Sequence, residues 1–171
     1  VAQGDIGQNA LTGESLTYTL NEVDIAGISG TVMFEERMNG EALATIMLDG
    51  TPAGGEHPAH IHMGAVGDSG AIAFSFNPVN GDTGMSMTNV SELDDEETAF
   101  MYSDIMDYDG YVNVHLSAAD LGTIVAQGDI GQNALTGESL SYDLDERAVE
   151  GISGTVMFEE RMNGEALATI M

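Results

Sequence analysis

The chain has 171 residues, with 29 Asp and Glu against three Arg (Arg37, Arg147 and Arg161), for a formal charge of −26. That balance excludes nucleic-acid binding, which needs cations to neutralise phosphate, and docking on an anionic membrane. The absence of Cys excludes disulfide staples, thiol catalysis and cysteine-based zinc sites, and no apolar run approaches the ~18 residues of a membrane-inserted helix.

Taken in chain order, strand signals dominate. Leu16, Tyr18 and Leu20 alternate with polar neighbours, which reads as an extra strand docking on a neighbour rather than a flexible tether. Over residues 28–38, Val32 and Phe34 share one parity and Thr31 and Glu35 the other, a half-buried strand. Asn39-Gly40 follows, the pair that favours a two-residue type I′ turn because both positions accept positive φ. The return strand over 41–49 places Ala42, Ala44, Ile46 and Leu48 on one face. Residues 50–55 form a loop, 59–63 a short strand, and 71–77 a strand alternating Ile72, Phe74 and Phe76 with Ala73 and Ser75. Asn80-Gly81-Asp82 turns the chain, and the acidic stretch 92–109 is the least strand-like, with room for a helical turn. Residues 110–117 alternate Val112, Val114 and Leu116 with Tyr111, Asn113 and His115, and 123–130 form a closing strand. Many short strands broken by Gly-rich turns predict an all-β fold, an antiparallel Greek-key-like sandwich or barrel.

The chain also repeats itself. Residues 1–47 and 125–171 are identical at 40 of 47 positions, an offset of 124 residues. Such self-similarity marks a tandem array. It divides the chain into 1–27 (the tail of a preceding copy with an inter-repeat strand or linker), 28–130 (a complete β-sandwich), 131–151 (the next inter-repeat strand or linker) and 152–171 (the opening hairpin of a following copy).

The four histidines are His57, His60, His62 and His115. His60 and His62 are spaced i, i+2 on a strand and leave the same face. His115 lies on a second strand. Three imidazoles from two strands suit Cu or Zn with an open fourth position; the alternative is that they hydrogen-bond across the sheet and organise the core. Asp104, Asp107 and Asp109 precede Gly110. Oxygen-rich loops with a Gly turn suit Ca²⁺, although the spacing is not that of an EF-hand; a solvated acidic loop is the other reading.

The segments His57-Pro58-Ala59-His60-Ile61-His62-Met63-Gly64 and Gly110-Tyr111-Val112-Asn113-Val114-His115 resemble the CHRD (chordin-type) domain family over roughly residues 28–130. That resemblance implies an extracellular β-sandwich, often found in tandem in bacterial surface proteins. A more distant likeness is to copper/zinc superoxide dismutase, whose copper-binding HxH pair and later His preceding D-L-G would here be His60, His62 and His115 with Asp120-Leu121-Gly122. No His lies between 62 and 115 to match that family's bridging histidine and zinc loop, so no enzyme is expected.

The sequence therefore predicts a secreted, cell-surface structural repeat of a filament, stalk or adhesin. Its partners would be copies of itself joined head to tail, because near-identical units offer the same heterologous contact at every junction. A metal-binding or redox module using the three histidines is the alternative.

Overall fold

The computed structural model of the protein describes residues 4–171. The strand end expected at residues 1–3 lies outside the described residues. A three-residue 3₁₀ turn (Gly7–Asn9) precedes β1 (Leu11–Glu22), β2 (Ser29–Arg37) and β3 (Ala42–Asp49). Short strands β4 (Glu56–His57), β5 (Ala59–Met63), β6 (Ile72–Ser75), β7 (Val79–Asn80) and β8 (Met85–Val90) follow. A helical turn, α1 (Tyr102–Ile105), then leads to β9 (Asp109–Ser117) and β10 (Asp120–Gly131). These ten strands make one curled antiparallel sheet in the order β4-β7-β8-β3-β2-β1-β10-β9-β5-β6. The fold is the all-β antiparallel arrangement that the alternation predicts.

Strand β1 is the corner of that sheet. It pairs with β2 from Ser15↔Glu35 to Leu20↔Gly30, and its last residues cross to β10 through Asn21↔Gln127 and Glu22↔Ala126. A register shift between Leu11 and Ser15, where Gly13 takes φ 100°, bends the strand, as bulges do. The alternating Leu16, Tyr18 and Leu20 thus dock on the strand that follows them. The curl carries the two ends of the sheet together, where His57 Nδ1 lies 2.8 Å from Leu116 O and ties β4 to β9.

The core fills the curl. Val32, Phe34, Ala44 and Ile46 from β2 and β3 join Ile61, Val112, Val114, Val125 and Ile130 from the other half in one buried cluster. Phe34, Phe74 and Phe76 link the halves, with ring centroids 6.4 Å apart for Phe34–Phe76 and 5.2 Å for Phe74–Phe76. Ile61, Val112 and Val114 point inward, so period-two alternation sends His60, His62, Tyr111, Asn113 and His115 to the outer face of β5 and β9.

The β2–β3 turn differs from the type I′ expectation. Gly40 takes φ 84°, but Asn39 does not enter the positive-φ region. Gly40 N donates to Arg37 O and Arg37 N to Glu41 O, while the Asn39 carboxamide oxygen accepts from Glu41 N. This is a three-residue loop closed by a single left-handed glycine. The Asn side chain satisfies the backbone instead of supplying a second positive φ.

Strands β11 (Leu135–Leu144), β12 (Gly154–Arg161) and β13 (Ala166–Ile170) form a separate three-stranded sheet. Its β11–β12 register repeats that of β1–β2 pair for pair, from Leu135↔Arg161 to Leu144↔Gly154. Its packing does not repeat. Leu20, Phe34 and Ile46 are 0%, 0% and 1% exposed, whereas Leu144, Phe158 and Ile170 are 41%, 38% and 74% exposed. The equivalent strands bury this face in the first copy because β5, β9 and β10 cover it.

Candidate metal centre

Strand β5 carries His60 and His62, and β9 carries His115. The β5–β9 register sets His60 opposite Asn113 and His62 opposite Tyr111. His115 N donates to Pro58 O at 2.8 Å, which extends the pairing just beyond β5. The imidazole centroids are 5.1 Å apart for His60–His115, 6.0 Å for His60–His62 and 6.4 Å for His62–His115. One nitrogen from each ring lies within 4.8 Å of the other two. The three histidines singled out by spacing are thus brought together.

Each ring also has a buried nitrogen without a hydrogen-bond partner: His60 Nδ1, His62 Nε2 and His115 Nδ1. Buried polar atoms are normally paired; His57 Nε2 and Asn113 Oδ1 are unpartnered too, but only in the three clustered histidines does this coincide with converging ligand atoms, as a donor set for a cation requires. His62 shows how the surroundings prepare it. Its Nδ1 is 3.0 Å from Gly70 O, a carbonyl that can only accept. A hydrogen bond there requires the ring to donate from Nδ1, which leaves Nε2 as the nitrogen available to a metal. The Tyr111 ring stacks on His62, with centroids 5.2 Å apart and planes at 19°. The Tyr111 hydroxyl donates to Asp68 O, fixing the same loop that supplies Gly70.

Burial pushes the His60 pKa down, and the neighbouring His115 and His62 push it the same way against the opposing pull of Asp94. Burial also lowers that of His115, opposed by a hydrogen bond with the Leu121 backbone and assisted by His62. Both rings are held toward the neutral form that binds metal. Three imidazole nitrogens from two strands suit Cu²⁺ or Zn²⁺ and leave a further position open.

His57 is not part of this group. It is buried and serves the β4–β9 closure. Asp104, Asp107 and Asp109 are not gathered into a cluster; among the described residues, the histidine trio is the group of three whose ligand atoms converge. Asp104 Oδ2 accepts from Met101 N at 2.8 Å and caps α1. Asp109 Oδ1 accepts from Asn133 Nδ2 at 2.7 Å. Sequence reasoning missed Gly70, Asp94 and Tyr111 as neighbours of the site. Of these, only Tyr111 left a signal, by sharing the parity of His115.

No family model and no solved structure matches the chain, so the chordin-type resemblance is carried by its two motifs alone. The chain is 39% identical over 72 residues to a Candida albicans (strain SC5314 / ATCC MYA-2876) protein described as cell surface superoxide dismutase [Cu-Zn] 4. The match covers 40% of this chain and 31% of that relative's length.

Proposed function

We propose that this chain is a metal-holding β-domain of a cell-surface or secreted protein, with Cu²⁺ or Zn²⁺ bound by His60, His62 and His115. The observation that carries the reading is the convergence of three imidazole nitrogens within 4.8 Å, each ring having a buried nitrogen with no other partner. The partial likeness to a cell-surface copper–zinc protein supports both the metals and the location. A bound metal would supply a Lewis-acidic or redox-active centre with one accessible position. The protein's own contribution is the Gly70 carbonyl and Tyr111 ring that orient His62, and the buried setting that lowers the pKa of His60 and His115.

The role we assign is holding the metal rather than turning over superoxide. An anionic substrate would approach a chain of formal charge −26. Two of its three arginines are tied to carboxylates, Arg37 to Asp5 and Arg161 to Asp129. Such a field slows anion encounter. The test is elemental analysis of the purified chain after equilibration with Cu²⁺ and Zn²⁺ and gel filtration. We expect about one ion per three-histidine site, lost in His60→Ala/His62→Ala; the same metal content in that variant would sink the reading.

A structural role as a repeat of a surface filament or stalk is the second reading, favoured by the 124-residue period. Electron microscopy of the purified protein tests it. Beaded or helical fibres are expected, and dispersed particles would count against it.

A further inference from the structure

The period also repeats a polar contact. Asp5, Asn9 and Arg37 recur one period later as Asp129, Asn133 and Arg161. In the second set, Arg161 donates to Asp129 Oδ2 at 2.8 Å and to Asn133 O at 2.7 Å. Met162 N and Asn163 N donate to Ala134 O and Gln132 O, both at 2.9 Å. The tip of the β12–β13 hairpin is therefore bound to the segment 132–134 that leaves β10.

The preceding domain closes around the same atoms. Asp129 Oδ1 accepts from Val66 N at 2.6 Å. Asn133 Nδ2 donates to Gly64 O at 2.9 Å and to Asp109 Oδ1. Ala65 N donates to Asp68 Oδ2, which fastens the loop on itself, and Tyr111 fastens it to β9. The Asp129 carboxylate thus bridges Val66 and Arg161, and Asn133 bridges the two repeats with its carboxamide on one side and its backbone carbonyl on the other.

The first copy acts as an internal control. Arg37 makes the same pair of contacts, to Asp5 Oδ2 at 2.7 Å and to Asn9 O, and the same backbone bonds join Met38 to Ala10 and Asn39 to Gln8. No counterpart of the 64–68 loop lies over it among the described residues. The Asp5 side chain is accordingly 45% exposed, against 9% for Asp129. The arginine clamp is local to each hairpin; its enclosure needs a whole preceding domain.

We propose that the hairpin tip 161–164 of one repeat plugs into a socket on the preceding repeat, built from Asp129, Asn133 and the 64–68 loop, and that this contact holds consecutive copies as one rigid body. The partner is the next copy of the same 124-residue unit. A buried network that engages both oxygens of Asp129 favours one orientation, and removing Arg161 leaves a buried carboxylate without its ion-pair partner. Beside the socket, an open cleft between β1–β10 and β12–β13 is lined by Thr19, Glu159 and Leu167. Packing there is incomplete, which leaves the tip to set the angle between copies. The inference rests on the tandem-repeat reading and is independent of the metal.

Hydrogen exchange on the full 171-residue chain tests it, comparing wild type with Arg161→Met and Asp129→Asn. Both variants are expected to speed exchange at Val66, Met162 and Asn163 by roughly tenfold or more, with Val112 and Val114 in the core unchanged. Unchanged protection at Val66 in Arg161→Met would overturn the proposal, because the loop would then be ordered without the neighbouring copy. Arg161→Met lies outside the first domain's core, so its failure to fold would show as lost protection at Val112 and is distinguishable. An intact lock in a protein that forms no fibres would count against the filament reading alone.

Discussion

Phe34 and Phe158 are the same residue in two copies of the same strand, and the structure gives them different environments. Phe34 is fully buried, with Tyr18 at 6.2 Å and Phe76 at 6.4 Å between ring centroids. Of those aromatic contacts Phe158 keeps the one to Tyr142, also at 6.2 Å, and it is 38% exposed. Truncating a buried Phe to Ala costs about 3–5 kcal/mol, the lost transfer energy plus that of the cavity left behind. A half-covered ring on an open sheet leaves no enclosed cavity and costs on the order of 1 kcal/mol. Phe34→Ala should therefore remove a large share of a domain stability of about 5–15 kcal/mol, and Phe158→Ala little of it. Urea unfolding followed by far-ultraviolet circular dichroism, with core amide exchange as a second probe, measures both. Equal losses from the two substitutions would refute the reasoning. They would mean that the β11–β13 face is as deeply covered in solution as the β1–β3 face.

Three further predictions follow from named contacts. Added Zn²⁺ at about 100 times its dissociation constant should stabilise the wild-type chain by about 2.7 kcal/mol through mass action, and His60→Ala/His62→Ala should abolish that gain; a variant stabilised equally would place the metal elsewhere. Gly30→Ala would set a Cβ 1.9 Å from the Met47 carbonyl oxygen, so the β2–β3 pair must separate, at a cost of about 1–3 kcal/mol; a neutral result in thermal unfolding would show that the strands part freely. Burial raises the Asp129 pKa, opposed by the Val66 N–H and the Arg161 guanidinium and reinforced by Asp68. The folded chain then holds the Asp129 proton more tightly than the unfolded chain, and this group's contribution to stability falls as pH rises from the ordinary carboxylate range through the folded value. Arg161→Met removes an opposing influence and raises that value further, so it should destabilise more at about pH 7 than at about pH 4; an equal loss at both would contradict it.

The parts of this molecule legible in the sequence are those governed by period-two alternation. Val32 and Phe34 on β2, and Ala42, Ala44, Ile46 and Leu48 on β3, are buried as their parity predicts. The same rule puts His60 and His62 on one face. What alternation does not carry is which second strand lies beside the first, and the metal trio needed β9 to run next to β5. The corner in β1 was illegible for a related reason: only the closed sheet shows the strand serving two partners, β2 as far as Leu20 and β10 from Asn21. The acidic stretch was ambiguous for a different reason. A carboxylate that caps a helix, as Asp104 does, or one that receives a distant carboxamide, as Asp109 does, has the same sequence signature as a cation ligand. The contacts that distinguish them come from Met101 and from Asn133, the latter 24 residues away.

The placement of the arginines joins the charge to the architecture. Residues 1–124 hold 20 acidic residues and a single basic one, Arg37, and its counterpart Arg161 sits with its side chain 7% exposed in the junction. The arginine common to both copies is thus withdrawn from the surface, whereas Arg147 of the second copy is exposed, and acidic residues dominate what neighbouring copies present to one another. Salt acts on these two features unequally. Exposed charges more than about 8 Å apart are largely screened at physiological ionic strength, whereas a buried pair is screened much less. Raising the salt therefore relieves repulsion between copies while leaving the Arg161–Asp129 contact nearly intact. An array built this way should tighten with salt, the reverse of an assembly held by surface ion pairs. Small-angle scattering of the chain across a salt series separates the two: compaction with rising ionic strength follows from the buried clamp, and expansion would mean that the clamp is open to solvent.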